Sequence, residues 1–379
     1  MNSIETIDAE HLGRLPSAVD PAICYLASLI KHGPSSYLGN AKVRMEAVLV
    51  DRKVLPLVIS DGIEGNSNIC SAYGHYHDYA MHEFARRFGA VPSGLLRAPR
   101  SLLGGLLRAG SIDRIVFVNN WLLSTNPRHG LSDAQVAALT THLIHRYPEA
   151  AIVFRSINCR VDSRGFDALR ANSYRFVPSR TVFMVDTASG DHCKRSNFHL
   201  DSAKLKKTSY SIIKPAAEHA ARCAQLYNDL YIRKHSPLNP EFKSPFFALI
   251  FKAGFMSHRG FVKNGRVDAF FSYLVEDRLI TACLLAYDLS LPRELALYRK
   301  MFALMIQEAA ERKALVNLSA GVAEFKMLRG AVPVQEYDAV YDRHLPPRRR
   351  LPWLCLQALG QLGRMLTPRP LFPAKTLET

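Results

Sequence analysis

Acidic residues are scarce beside basic ones in this chain: 33 Asp and Glu stand against 49 Lys and Arg in 379 residues, a net charge of +16 with histidines neutral. Such an excess speaks to association rather than to fold, and it favours an acidic partner: nucleic acid, an acidic carrier protein, a phosphate-rich cofactor or an anionic membrane. Cysteine is also sparse. The seven (Cys24, Cys70, Cys159, Cys193, Cys223, Cys283 and Cys355) are odd in number, widely spaced and without a C-x-x-C pair, which argues against a disulfide framework or a zinc ribbon. No apolar run approaches the ~20 residues a membrane span needs, and Met1 to Pro16 lack the basic-then-apolar order of a signal peptide. With thiols staying reduced, a cytoplasmic location is expected. The G-x-S-x-G, P-loop and H-E-x-x-H patterns are missing too, so hydrolase-elbow, NTPase and zincin readings lose support. What remains is ordinary globular composition, 48% hydrophobic and 22% charged, at odds with a disordered, collagen-like or long coiled-coil chain. The length suits two domains.

Periodicity predicts strands and helices in alternation. Val48 to Ile59 reads as a hairpin about Asp51-Arg52-Lys53. Asp78 to Phe88 has helical spacing, and Gly94 to Gly110 repeats GLLRA about Pro99, read as two short basic amphipathic turns. Asp113 to Asn119 is β-rich, Ser132-Asp-Ala-Gln135 is a capping box opening a helix that Pro148 ends, and Ala151 to Arg155 is a buried strand. Gly165 to Asn172 follows as a helix, and Tyr174 to Asp186 as two strands broken at Pro178. A polar, basic stretch from Thr187 to Lys207 reads as an interdomain linker. Beyond it come strand Ser209 to Ile213, helix Ala216 to Tyr231, a hairpin about Asn264-Gly265, strand Leu279 to Tyr287, a long helix Arg293 to Lys313, strand Ala314 to Leu318, helix Ala323 to Leu328 and strand Val334 to Tyr341.

That order, β α β β β α β α β after a similar first half, resembles the GNAT (N-acetyltransferase) fold, and two such units in tandem resemble the Fem-type aminoacyl transferases and their acyltransferase relatives. The fold class expected is α/β (α+β), with mixed central sheets flanked by helices. The divisions are an N-terminal GNAT-like domain at 1–190, a basic linker at 191–207, a C-terminal GNAT-like acyltransferase domain at 208–345 and a basic, apolar tail at 346–379. In the first unit the resemblance rests on Leu169 to Arg180.

The patch of most chemical interest is Asn317 to Ala331, which follows a strand end, where ligands sit in open α/β layers. Its Gly321, Phe325, Lys326 and Gly330 form G-x-x-x-F-K-x-x-x-G, similar to a Fem-type segment whose lysine lies at the acyl-transfer centre. The resemblance implies that Lys326 stabilises the oxyanion formed when an amine attacks a thioester or ester, a contribution of ~3 kcal/mol. Gly321, Phe325 and Arg329 would then bind substrate, with Arg329 gripping a phosphate or carboxylate in bidentate fashion. Loss of Lys326 would abolish transfer and leave the melting temperature nearly unchanged. Glu324 and His235 are candidate bases, His235 and Asn239 lying in a loop that covers the acceptor pocket in this fold class. Tyr337 is the candidate acid for a leaving thiolate.

No glycine occurs between Asp288 and Tyr298, where GNAT enzymes cradle the pyrophosphate of coenzyme A. With no cofactor tightly bound, the donor co-substrate is expected to be acyl-CoA, acyl carrier protein or aminoacyl-tRNA, with an amine as acceptor. His192, Cys193 and His199 lack a fourth ligand, and no metal site is expected. Asn66 to Asn68 and Ser71 to His77 are read either as cleft lining or as a polar hairpin exit. Residues 348–372, three arginines ahead of a short apolar helix with Trp353 at its start, fit either an interfacial membrane contact or docking back on the domain. Against the enzyme stand two other readings: a non-catalytic basic module binding RNA or an acidic carrier, and a membrane-peripheral lipid acyltransferase.

Overall fold

The computed structural model describes residues 3–16, 19–62, 64–82 and 93–366. The first half builds β1 (Ile4–Ile7), α1 (Pro21–His32), β2 (Arg44–Val50), β3 (Lys53–Asp61), α2 (Ser93–Ala109), β4 (Arg114–Val118), α3 (Asp133–Arg146), β5 (Ala151–Ile157), α4 (Ser163–Ala171) and β6 (Arg175–Asp186). A helix α5 (Ser196–Lys206) leads into β7 (Ser211–Ile213), α6 (Ala220–Asn228), α7 (Ser244–Ala253), β8 (Ser257–Lys263), β9 (Arg266–Glu276) and β10 (Leu279–Tyr287). Then follow α8 (Leu297–Glu311), β11 (Leu315–Asn317), α9 (Ala323–Met327), β12 (Val332–Tyr341) and α10 (Pro347–Leu366).

All twelve strands among the described residues share one mixed sheet, ordered β1-β2-β3-β4-β5-β12-β6-β11-β10-β9-β8-β7. The halves repeat one scheme. In the first, β2, β3 and β4 pair antiparallel and α3 then crosses over to bring β5 parallel to β4; in the second, β8, β9 and β10 do the same and α8 brings β11 parallel to β10. The closing strands are exchanged: β12 sits between β5 and β6, and β6 between β12 and β11. Neither half therefore completes its sheet without the other's last strand.

Local chemistry explains much of this. Ser132 and Gln135 cap α3 reciprocally, satisfying amides that a helix start leaves open. Asn264 and Gly265 both take positive φ, 50° and 72°, the pair that a two-residue hairpin turn demands. Three expectations are corrected. The GLLRA repeats lie on one continuous helix, α2, with Pro99 inside it. β6 is unbroken at Pro178, because two β6 residues, Ser179 and Arg180, oppose the single Glu336 of β12, so the missing N–H falls beside a bulge. The stretch read as a linker is helical, at Asp191–Lys194 and along α5, with Phe198, Asp201 and Leu205 buried. Of the two readings of the tail, docking back on the domain holds for Trp353, which is buried with its ring edge-on to Tyr76 at 6.3 Å. Residues 83–88 of the helix expected from Asp78, and residues 367–372 of the tail, lie outside the described residues.

Candidate active site

The middle of the sheet is built by two bulges that face one strand. On β12, Glu336 and Asp338 are two apart and share a face. Glu336 is opposed by Ser179 and Arg180 of β6, and Asp338 by Arg155 and Ser156 of β5; an extra residue re-aims side chains and commonly does so beside functional sites. Each bulge thus delivers an arginine to a buried carboxylate. Arg180 Nε donates to Glu336 Oε2 at 2.8 Å, and its Nη2 donates to Ser124 O at 2.6 Å and Thr125 Oγ1 at 2.5 Å. Burial holds the Asp338 carboxyl above the usual range, an effect opposed by Arg155, and burial lowers Arg155 itself. Tyr76 donates its hydroxyl to Asp338 Oδ2 at 2.9 Å, while His75 Nε2 meets Ser179 Oγ at 2.9 Å. His75 is driven down to about 3 by loss of water and by the charges of Arg155 and Arg180, so it is neutral near pH 7. Arg155 Nη1, Asp338 Oδ1 and Glu336 Oε1 are buried without hydrogen-bond partners among the described residues.

This wall meets the end of β11 through hydroxyls: Thr125 Oγ1 lies 3.3 Å from Ser319 Oγ. Ser319 begins the loop into α9, where Ser319, Gly321 and Val322 take φ of 60°, 83° and 43°, a strained run that must be held by its surroundings. Lys326 holds it. Its Nζ donates to Leu318 O at 2.8 Å, Ser319 O at 3.0 Å and Ala320 O at 2.8 Å, occupying the three N–H bonds of an ammonium. Removal from water, then the nearby Arg180, push Lys326 down to about 7.

Lys326 is therefore neither in bulk solvent nor free to meet an oxyanion with its own protons. The expectation that its loss leaves stability untouched is corrected, because Leu318 O and Ala320 O would lose the lysine as donor, and Ser319 O one of its two, at a site only 4% exposed. Arg329 is also corrected: instead of an open grip for a ligand, its Nε donates to buried Asp201 and its Nη1 to Phe325 O at 2.8 Å, with Phe325 stacked 3.4 Å from its guanidinium carbon. Phe325 in turn packs on Tyr298 and Phe302. Gly321 is exposed at the loop's tip. Glu324 is exposed on α9, on the turn but outside the buried network. Tyr337 points to the opposite face of β12 from Glu336 and packs against Phe166 and Phe176. His235 ends a π-helical turn, its ring 5.9 Å from Tyr231. Asn239 is buried and ties that loop together, donating to Tyr231 O at 3.0 Å and accepting at its carbonyl from Asn40 at 2.7 Å.

The structure brings together Lys326, Gly321, Phe325 and Arg329, and leaves Tyr337 on another face. Sequence reading missed Arg155, Arg180, Glu336 and Asp338. The only signal available was the Glu-x-Asp alternation on a strand, and it does not say that the strand is central. Asn66, Ser71, Tyr73 and Gly74 do line a cleft, of about 410 Å³, shared with Asp113 and Arg108. Among the described residues no group of three or more His, Cys, Asp or Glu could hold a metal.

No family model matches the chain, and no curated protein matches it. Among solved structures FemX is similar over 94% of this chain and 100% of its own, at 9% identity and a TM-score of 0.52. A tandem GNAT protein from the clavulanic acid biosynthesis pathway is similar over 89% of this chain and 98% of its own, at 12% identity and a TM-score of 0.39. L-PGS from Bacillus licheniformis is similar over 61% of this chain and 78% of its own, at 16% identity and a TM-score of 0.43. At 9% identity the likeness to FemX speaks for the fold alone: the chain has a Fem-type architecture, its two halves repeating one strand-and-helix scheme.

Proposed function

We propose that the protein is an acyltransferase that moves an acyl or aminoacyl group from a thioester or ester donor to an amine. The observation that carries this reading is the grip of Lys326 on the loop after β11. A peptide plane holds each C=O opposite the following N–H. Drawing the carbonyls of Ser319 and Ala320 inward to Lys326 therefore turns the amides of Ala320 and Gly321 outward, at the carboxyl end of a strand. Two fixed amides there suit the oxygen that becomes negative when the amine nitrogen bonds to the donor carbonyl. As that intermediate collapses, the carbon–sulfur or carbon–oxygen bond breaks, the thiolate or alkoxide leaves, and the proton given up by the amine ends on it, so that amide and thiol or alcohol are the products. Lys326 serves as a positioning residue that acts through the loop.

A donor held by something other than a glycine-rich pyrophosphate cradle is supported by the junction before α8, where a 3₁₀ turn at Arg293–Leu295 is followed by Ala296 at a φ of 51°. Acyl carrier protein and aminoacyl-tRNA, both acidic, fit the +16 charge as well as acyl-CoA does.

The test is a transfer assay with the three donor classes against a panel of amines, read by thiol or free-tRNA release and by the mass of the amide formed. Ala320→Pro removes one outward amide and is expected to lower kcat by about 10²–10³-fold, while Ala320→Gly retains activity. Full activity in Ala320→Pro would overturn the role of the loop amides. Absence of product with every donor, and of any co-purifying acyl carrier, would overturn the acyltransferase reading in favour of a binding module.

A further inference from the structure

The C-terminal helix α10 is apolar on two faces. One face is spent on the fold: Trp353 and Leu356 are buried in the large core, Gly360 lies against Pro178, and Gln357 accepts from Arg175. The other carries Leu351, Leu354, Leu359, Leu362 and Met365, all between 44% and 82% exposed. Most of these recur every three or four residues, a single stripe along the helix, and a run of large apolar side chains in water marks a contact surface. On the neighbouring helix α2, Leu102 is exposed as well.

Charge identifies the occupant. From Pro347 to Leu366 there are four arginines and no acid, and from Ser93 to Ala109 three arginines and no acid. Arg348 and Arg100 are exposed at the described positions. We infer that α10 lies on an anionic lipid surface, its outer leucines in the acyl boundary and the exposed Arg348 and Arg100 at the headgroups, while Arg349 is turned inward. Apolar burial and attraction to anionic lipid act together in such helices. A second protein chain would meet the leucines equally well but has no call for the exposed Arg100, Arg108 and Arg348 on two helices that carry no acid. No helix among the described residues is long and apolar enough to cross a membrane, so the contact is peripheral. The helix touches Arg175 through Gln357 and Pro178 one turn later, so it follows β6 toward Arg180 and the catalytic loop. This inference is independent of the reaction chemistry, since it concerns only where the enzyme sits.

The test is flotation of the full chain with phosphatidylcholine vesicles, with and without phosphatidylglycerol. Removing residues 348–379 would strip Trp353 from the core, so point substitutions on the outer stripe are used. The wild type is expected to float with phosphatidylglycerol vesicles and not with phosphatidylcholine alone, less so as salt is added. Leu354→Glu with Leu362→Glu is expected to weaken partitioning by about tenfold or more with an unchanged thermal transition. If that pair unfolds the protein, Leu351→Ser with Leu359→Ser serves instead. Failure of the wild type to float, equal flotation of the folded variant, or a concentration-dependent dimer that the variant abolishes would each overturn the proposal, the last in favour of a second copy of this chain.

Discussion

Asp201 and Arg329, 128 residues apart, form an ion pair at 2.5 Å in which both side chains are buried. Asp201 also accepts from Arg299. The pair ties α5 to the turn after α9, and so fixes the segment that carries Lys326. Truncating Asp201 to Ala leaves Arg329 charged and unpaired inside the protein, and is expected to cost about 3–5 kcal/mol in urea unfolding. The double substitution Asp201→Leu with Arg329→Met is expected to recover much of that loss.

Lys326 gives activity and stability opposite dependences on pH. Its folded value of about 7 lies below its ordinary 10.5, so between those limits the unfolded chain binds more protons and stability rises with pH. Comparison of the wild type with Lys326→Met by urea unfolding isolates this, with a slope approaching about 1.4 kcal/mol per pH unit. Transfer is expected to change the other way. Above pH 7 the neutral amine has two N–H groups for three carbonyls and the loop loses a tie. A stability difference that is flat from pH 7 to 10 would remove this role.

His75 predicts an acid-side loss. Its folded value of about 3 lies below the ordinary 6.5, so the unfolded chain takes up a proton that the folded chain refuses, and stability falls as pH drops from about 6.5 toward 3. In His75→Gln that share of the acid sensitivity is expected to vanish. The same property is visible by NMR as a His75 ring whose carbon shifts do not move between pH 8 and 4.5.

Gly330 is required for two reasons at once. It has a φ of 91°, and a Cβ there would stand 3.2 Å from the backbone of His192. Gly321, at a φ of 83°, has open space around it. Gly330→Ala is expected to lower stability by more than about 1 kcal/mol, and by more than Gly321→Ala does, since only the former adds a close approach to strain. A thermal melt of the two variants distinguishes them.

Legibility in the sequence followed the range of the interactions. The α3 capping box, the Asn264-Gly265 hairpin and β10 were legible because each depends on neighbours a few residues away. The glycine-to-glycine segment about Lys326 was found for its pattern, yet its partners were not. Arg329 looked like a ligand arginine because Asp201 lies in a stretch whose composition reads as a linker. Glu336 and Asp338 went unmarked on the strand expected from Val334 to Tyr341, because nothing local announces that β12 is central.

Residue order alone determined the repeated strand-and-helix scheme, the basic excess and the place of the Lys326 loop just past a strand, since periodicity, turn chemistry and net charge are properties of adjacent or summed residues. Only the tertiary structure decided that β6 and β12 change places, that two bulges turn Arg155 and Arg180 onto β12, and that Lys326 spends its protons on its own loop. Those outcomes depend on which distant groups are driven out of water together, and a buried charge takes whatever partner the closed sheet leaves within reach.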